Sequence, residues 1–178
     1  LLAAKQPAAS TLSLQPQEGE HLPRVIEAMS EGVLFTTLEH SAAADSLAIL
    51  RPRLSKLDKA QAILRAFGFV GRPYDFDFDF TTNDALVCTE VVFKAYEAGP
   101  RMTGLALPLS TVMGRPVTPA NEIARLFVRE TQAEKPQFDF VLFLDGFEKQ
   151  AKALPAGLEE FCRSVDRPKW HVLVQDWR

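Results

Sequence analysis

The sequence has few of the residues that mark several common classes of protein. Its 178 residues include only two cysteines, Cys88 and Cys162, which do not make a disulfide framework or a zinc site. It has no glycine-rich phosphate loop and no apolar run long enough to span a bilayer. Its formal charge is −3, so no basic footprint indicates a nucleic-acid partner or an anionic lipid surface.

What remains is an ordinary globular composition, with 47% hydrophobic and 24% charged residues. This length and composition fit one domain with its own core, so we treat residues 1–178 as a single domain. The chain opens LLAAKQPAAS, without Met and without the layout of a signal peptide. The LLAA stretch is typical of the end of a strand, so we expect the domain to lack its N-terminal part.

Hydrophobic periodicity predicts strands towards both ends of the chain and helices between them. RVIEAM and EGVLFTTL predict a hairpin, and SLAILRP predicts a third strand. FDFVLFLDG and KWHVLVQDW predict two more strands near the C-terminus. Since the order shows no βαβ rhythm, the predicted class is α+β with a mainly antiparallel sheet.

Helix boundaries are predicted from capping signals. Ser55 with Asp58 forms a capping box for one helix, and Gly68 is its predicted stop. A second helix is predicted from Cys88 to Ala98. Thr118-Pro119 supplies a cap and a first-turn proline for a third helix, ANEIARLFVRET.

Cys88 thus stands at a predicted helix start, behind the turn-rich TTNDALV. A helix N-terminus leaves unpaired N–H groups and a partial positive charge, and both stabilise a thiolate. A thiolate so placed is a recurring nucleophile of cysteine hydrolases. The alternative is a small buried hydrophobe, which on position alone is favoured because free cysteines are usually of that kind.

Two motifs follow one another before this helix. Gly71 and Pro73-Tyr74-Asp75 form a Gly-x-Pro-Tyr-Asp segment that ends in alternating Phe, and Cys88-Thr89-Glu90 then starts the helix. RVIEAMSEGVLFTTLEH and DSLAILRP lie upstream. Together these stretches resemble the permuted papain-fold amidases of the YiiX/YaeF type, relatives of the NlpC-type cell-wall peptidases. The resemblance covers most of the chain from about Arg24 onward.

The resemblance implies a papain-like α+β fold that is circularly permuted, so that the catalytic histidine precedes the cysteine. It implies Cys88 as the nucleophile and Glu27 as the residue that orients the histidine. A carboxylate bonded to one imidazole nitrogen fixes the tautomer, so the other nitrogen can take the thiol proton. Without the resemblance, Glu27 would be interpreted as an exposed strand carboxylate. The mechanism needs no metal and no organic cofactor.

The histidine of this family lies in a His-x-Gly motif, which does not occur in these 178 residues. We expect it upstream of Leu1, on the strand that LLAA would end. Among the histidines present, His21 is the best substitute because it precedes Glu27. His40 and His171 are interpreted as a surface residue and a strand residue.

Two side chains near Cys88 are candidates for the substrate or oxyanion site. Tyr74 is expected either to hold the loop near the thiol and assist an oxyanion, or to pack with a hydrogen-bonded hydroxyl. Thr89 replaces the family's usual serine, and either hydroxyl can bond the backbone near a helix start. Glu90 is expected to complement the helix dipole.

The YDFDFDF stretch predicts an extended strand with Asp75, Asp77 and Asp79 on a solvated face. A cation site is the alternative, but the glycine and bidentate glutamate of an EF-hand loop are missing from the sequence. Cys162, in EEFCRS, is predicted to lie in a helix and to pack in the core. We predict that both thiols are reduced in active protein, because a disulfide would disable Cys88.

The predicted function is hydrolysis of an amide or related acyl bond through a thioester on Cys88. The resemblance implies a cell-wall peptide or an acylated lipid or protein as substrate and leaves the two open. An acyltransferase on the same fold and an inactive relative that binds peptide or lipid are the alternatives. Family members are often envelope proteins, which favours the bacterial cell envelope as the location.

Overall fold

The computed structural model describes residues 21–77, 82–112, 114–147 and 152–167. The strands in these ranges are β1 Val25–Met29, β2 Gly32–Thr36, β3 Leu47–Pro52, β4 Ser110–Val112, β5 Arg115–Val117, β6 Phe138–Phe147 and β7 Lys152–Ala156. The helices are α1 Leu38–Ser41, α2 Lys56–Phe69, α3 Cys88–Ala95, α4 Ala120–Glu130 and α5 Leu158–Ser164. Every pair of named strands is antiparallel. The predicted α+β class with antiparallel sheets is therefore confirmed.

β1 and β2 form the predicted hairpin, and the Gly-x-Pro segment is docked on it. Gly32 begins β2 at φ +112°, a backbone conformation that residues with side chains rarely adopt. A Cβ there would lie 2.4 Å from the carbonyl oxygen of Arg72. This close approach lets Val33 donate to Arg72 O at 2.8 Å and accept from Gly71 N–H at 2.7 Å. The segment before Tyr74 is thereby fixed beside β2.

A second sheet has three strands in the order β3-β6-β7. β3 and β6 are the predicted SLAILRP and FDFVLFLDG strands. Neither β7 nor the short β4–β5 hairpin is anticipated by the sequence patterns. β7 contains Pro155, which cannot donate a ladder hydrogen bond and is tolerated on an edge strand. The predicted strand KWHVLVQDW lies outside the described residues.

α2 is the predicted helix, and its cap is half of the predicted capping box. The Ser55 hydroxyl accepts from the Asp58 N–H at 3.0 Å. The Asp58 carboxylate does not return to Ser55 but accepts from the Thr103 N–H at 3.4 Å. The predicted stop at Gly68 is wrong by one residue, since the helix ends at Phe69.

The other two predicted helices also differ at their ends. α3 begins at Cys88 as predicted but ends at Ala95, because the carbonyl of Tyr96 accepts a tertiary hydrogen bond from Leu105 N–H at 2.9 Å. Thr118 as the cap of α4 is wrong, because Pro119 occupies the N-cap position. Thr118 is instead buried, and its hydroxyl finds no partner in the part of the chain that the structure describes.

Buried apolar side chains form two clusters. The larger, which we call the phenylalanine cluster, joins β6, α4 and α5; its buried members are Leu105, Leu107, Phe127, Phe138, Phe143 and Phe161. The smaller, the hairpin cluster, joins β1, β2 and α3; its buried members are Ala28, Val33, Leu86 and Val91. The helix that begins with Cys88 therefore packs in the hairpin cluster. No helix within the described ranges is both long and apolar enough to cross a bilayer.

Candidate active site

Cys88 is the first residue of α3, and its side chain is exposed. Val87 is the N-cap, with extended backbone at φ −89° and ψ 165°. Because valine carries no polar side-chain atom, the cap comes from Glu90, whose Oε2 accepts from the Val87 N–H at 3.2 Å. The N–H groups of Cys88 and Thr89 make no hydrogen bond to the residues that the structure describes, as is usual in a first turn. An exposed thiol therefore lies at the helix start beside N–H donors that have no partner in the described part of the chain.

The Glu90 side chain is completely buried and is held by a cation. Lys94 Nζ lies 3.0 Å from Glu90 Oε1, as an i,i+4 ion pair along α3. Burial raises the pKa of Glu90, while Lys94 and the Val87 N–H act in the opposite direction. Glu90 lies in the first turn of α3, where a negative charge complements the helix dipole as expected, and its carboxylate also caps the helix. Lys94 is a residue that the sequence patterns above do not identify, although its i,i+4 spacing from Glu90 is a usable signal.

Tyr74 is brought next to the nucleophile helix by a short parallel bridge with Leu86. Leu86 N–H donates to the carbonyl of Pro73 at 3.1 Å, and Asp75 N–H donates to the carbonyl of Leu86 at 3.4 Å. Burial raises the pKa of Tyr74, and the neighbouring Cys88 and Asp75 raise it further. The phenol therefore stays protonated at neutral pH and can donate a hydrogen bond beside the thiol.

The Asp-Phe repeat does not form the predicted strand in its described part. Asp75 is buried, with 7% of its surface exposed, whereas Phe76 is 71% exposed. The Asp75 carboxylate accepts from the Asp77 N–H at 2.9 Å, an Asx turn that bends the backbone and ends the alternation, while Asp77 is exposed as predicted. The prediction of a solvated Asp75 is therefore wrong, and Asp79 lies outside the described residues.

Glu27 is held by hydroxyl groups at the end of the hairpin. Its Oε1 accepts from Thr36 Oγ1 at 2.5 Å and from Ser41 Oγ at 2.7 Å. Its Oε2 accepts no hydrogen bond from the described part of the chain. Alternation along β1 places Glu27 on the face opposite Ile26 and Ala28, which pack in the hairpin cluster. No contact between Glu27 and Cys88 is found among the described residues.

Two of the three histidines lie in the described ranges, and both are on the Glu27 side of the hairpin. His21 Nδ1 lies 3.1 Å from Glu39 Oε1, and both side chains are more than half exposed. His40 lies in α1, where its N–H donates to the Thr37 hydroxyl at 3.2 Å. No contact within these ranges joins either imidazole to Cys88 or Glu27. His171 lies outside the described residues.

An apolar groove of about 600 Å³ runs between α2, α3 and the hairpin. The side chains that line it include Ile26, Phe35, Ile63, Phe67, Val91 and Val92. Val91 and Val92 lie three and four residues after Cys88, so they share its face of α3. On α2, Leu57, Ile63 and Leu64 are more than half exposed, so its apolar spacing does not produce a buried face. The groove therefore begins one helical turn beyond the thiol.

The second cysteine lies in a different environment. Cys162 is half-buried in α5, the helix predicted for EEFCRS, and both cysteines are free thiols. Across the described residues, no three His, Cys, Asp or Glu side chains are grouped so as to hold a metal ion. Of the predicted site residues, the structure thus brings together Cys88, Thr89 and Tyr74 and leaves Glu27 and His21 apart from them.

Comparison with known proteins supports the resemblance seen in the sequence. The family model for permuted papain-like amidases of the YaeF/YiiX type matches residues 10–124. A solved structure, titled as that of the metalloprotein yiiX from Escherichia coli O157:H7, covers 87% of this chain and 91% of its own. The two chains are 19% identical, with a TM-score of 0.44. No curated protein matches the chain at a significant level.

The family match includes the hairpin, the Gly-x-Pro-Tyr-Asp segment and all of α3. The family is one of amidases, so the general class of activity is that of a cysteine-peptidase-like hydrolase. The predicted papain-like α+β fold is confirmed by the same match. The chain belongs to the permuted papain-like amidase family of the YaeF/YiiX type.

Proposed function

We propose that this protein is a single-domain cysteine amidase in which Cys88 is the nucleophile. The observation that carries the proposal is the exposed thiol at the first residue of α3, beside N–H groups that have no partner among the described residues. The family match supports a hydrolase in general, and the exposed thiol supports Cys88 as its nucleophile. The geometry favours an enzyme because the helix is capped by Glu90, which leaves the thiol and the neighbouring donors available.

The reaction proceeds in two halves. The thiolate of Cys88 attacks the amide carbonyl carbon, a C–S bond forms, and the C–N bond breaks as the amine leaves with a proton from the base. Water then attacks the thioester, releases the acid and restores the thiol. The N–H groups of Cys88 and Thr89 stabilise the oxyanion, a contribution of roughly 3 kcal/mol per donor. The protonated Tyr74 hydroxyl is a third donor.

We assign the base to a histidine oriented by Glu27. Glu27 Oε1 is bonded by two hydroxyls, which fixes the carboxylate and leaves Oε2 for an imidazole N–H. Because Glu27 faces away from the hairpin cluster, this histidine must reach Cys88 around the outer edge of β1. A strand upstream of Leu1 is the expected source, since β1 pairs only with β2 among the described strands. His21 is the alternative.

The apolar groove favours an acylated substrate over a cell-wall peptide. From Cys88 to Ala95 the helix rises by about 10 Å, a length that an acyl chain of eight carbons would cover. An acyl group attached to the thiol would lie along Val91 and Val92 and leave the amine in solvent. The substrate we propose is therefore the amide of an apolar acyl chain, as in an acylated lipid or protein.

The first experiment is alkylation of the full chain with iodoacetamide near neutral pH, followed by peptide mass spectrometry, with Cys162 as the internal reference. We expect Cys88 to react at least about tenfold faster than Cys162, because the helix start stabilises its thiolate. Equal rates would identify Cys88 as a structural thiol and would favour the peptide- or lipid-binding relative.

Chromogenic acetyl and octanoyl amides then test the substrate. A larger kcat/KM for the octanoyl amide is expected, and equal values would contradict the acyl-groove assignment. Product analysis with an added amine separates the hydrolase from an acyltransferase, because only a transferase passes the acyl group to the amine in preference to water. A Cys88→Ala variant is the control for background hydrolysis.

A further inference from the structure

Side chains of α3 hold the loop that leads into its own first turn. Lys94 Nζ donates to the carbonyl of Thr82 and to Oδ1 of Asn83, in addition to its ion pair with Glu90. Glu90 in turn accepts from the Val87 N–H. Loop 82–87 is therefore attached to α3 at both of its ends, and the Glu90–Lys94 ion pair links the two attachments.

The same loop is bound from the opposite side by the segment docked on β2. Arg72 donates from Nη1 to the carbonyl of Asn83. Its guanidinium also lies over the ring of Phe69, 5.0 Å from the ring centre. Two cations on separate elements thus bind neighbouring peptide groups of the loop, which restricts it from both sides.

The ion pair between Glu90 and Lys94 should contribute little to the free energy of unfolding. The Glu90 side chain has no exposed surface and that of Lys94 is 13% exposed, so both charges lose most of their hydration. Buried pairs of this kind often contribute no more to stability than apolar residues of the same size. The ion pair can have a much larger effect on the reaction rate, because a displacement of about 1 Å at a reacting group can reduce a rate about a hundredfold.

We propose that Lys94 is a positioning residue for the nucleophile. Through Glu90 and loop 82–87 it fixes the cap residue Val87, and with it the Cys88 thiol and the N–H groups of the first turn. No contact between Lys94 and Cys88 is found among the described residues, so Lys94 acts on the thiol through Glu90 and the loop. The inference rests on the proposed role of Cys88.

The test compares three variants of the full chain. Lys94→Met keeps the apolar stem and removes the charge. Lys94→Arg restores a cation with several donors. Arg167→Met is the matched control, because it removes a cation from another shielded carboxylate, that of Asp145, which Arg167 binds with two hydrogen bonds of 2.9 Å.

Hydrogen exchange followed by mass spectrometry reports the loop, and the ratio of alkylation rates of Cys88 and Cys162 reports the thiol. In Lys94→Met we expect exchange in residues 82–90 to accelerate by about ten- to a hundredfold, because hydrogen bonds to a charged group are lost. Exchange in residues 138–147 should not change. The Cys88 to Cys162 ratio should fall by about tenfold. Lys94→Arg should recover most of both effects, and Arg167→Met should show neither.

Two results would overturn the proposal. One is acceleration that is equal in residues 82–90 and 138–147, which would make Lys94 a general stabilising residue. The other is an unchanged alkylation ratio in Lys94→Met. Failure of the proposed function is recognised separately, since wild-type Cys88 would then react no faster than Cys162 before any variant is made.

Discussion

The phenylalanine cluster and the hairpin cluster bury different kinds of side chain. In the first, the rings of Phe143 and Phe127 lie 5.2 Å and 5.6 Å from that of Phe161. In the second, short aliphatic side chains lie beside the buried carboxylates of Asp75 and Glu90. Apolar contact is favourable wherever it occurs, whereas a buried carboxylate is unfavourable unless it is paired. Glu90 is paired with Lys94 along the helix that begins with Cys88, whereas Asp145, the buried carboxylate of β6, is paired with Arg167.

The largest effect on activity should come from Cys88, at the start of the helix that packs in the hairpin cluster. Cys88→Ser should reduce kcat/KM for the octanoyl amide by about 10⁴-fold or more, because the nucleophile is lost. The melting temperature should stay within a few degrees of the wild-type value, because the side chain is exposed. Calorimetry and steady-state kinetics on the same preparation check both. Retained activity would remove Cys88 from the mechanism.

A substitution in the phenylalanine cluster should lower stability and leave the reactivity of Cys88 unchanged. Phe161→Ala should lower the free energy of unfolding by about 3–5 kcal/mol, because it leaves a cavity among packed rings. The alkylation rate of Cys88 itself should not change in the protein that remains folded. Leu158→Ala is the control in the same helix, since Leu158 is 41% exposed and should cost far less. Denaturant titration measures both, and equal losses would mean that the cluster does not carry the stability.

On strand β1 of the hairpin, Glu27→Gln should reduce kcat by about 10²-fold, because an amide cannot stabilise the charged imidazole. Glu31→Gln, in the exposed turn between β1 and β2, should leave kcat unchanged and serves as the matched control. Steady-state kinetics across the pH range distinguishes the two substitutions. If they behave alike, the orienting residue is not Glu27.

The smallest effect is a dependence of stability on pH. Because burial raises the folded-state pKa of Glu90 above its ordinary value of 4.5, the folded state binds more protons than the unfolded state. This contribution to stability is fully present below 4.5 and is lost as the pH rises through the folded-state pKa. The stability of the wild type relative to Glu90→Gln should therefore be greater at about pH 4 than at about pH 7.5. Denaturant titrations at both values check this, and the opposite slope would contradict it.

The elements predicted correctly from the sequence are those with local signals. The hairpin follows from alternating apolar residues, and the start of α3 follows from the turn-rich TTNDALV before Cys88. The same local reasoning failed at Asp75, where one Asx turn outweighs the alternation of Asp and Phe. The β4–β5 hairpin had one usable signal, Gly114 at φ +81° in its turn.

What could not be predicted depends on contacts between distant parts of the chain. The end of α3 is set by the hydrogen bond between Tyr96 and Leu105, and the acceptors of Lys94 lie on a loop outside its helix. Family membership, by contrast, could be recognised from the sequence, because the order of its motifs is preserved even where their local conformation was misjudged.

The environments of the two thiols determine how the protein responds to oxidation of Cys88. Oxidation of an exposed thiolate gives a sulfenic acid, which is rescued when a second thiol condenses with it to a disulfide. Here the chain's other thiol, Cys162, is half-buried in α5, whose Phe161 packs in the phenylalanine cluster. The two cysteines are free thiols, so a Cys88 sulfenic acid that meets no thiol from outside the chain would be oxidised further to the sulfinic acid, which cannot act as a nucleophile. Retention of the Cys88 thiol under oxidising conditions should therefore depend on an external reductant.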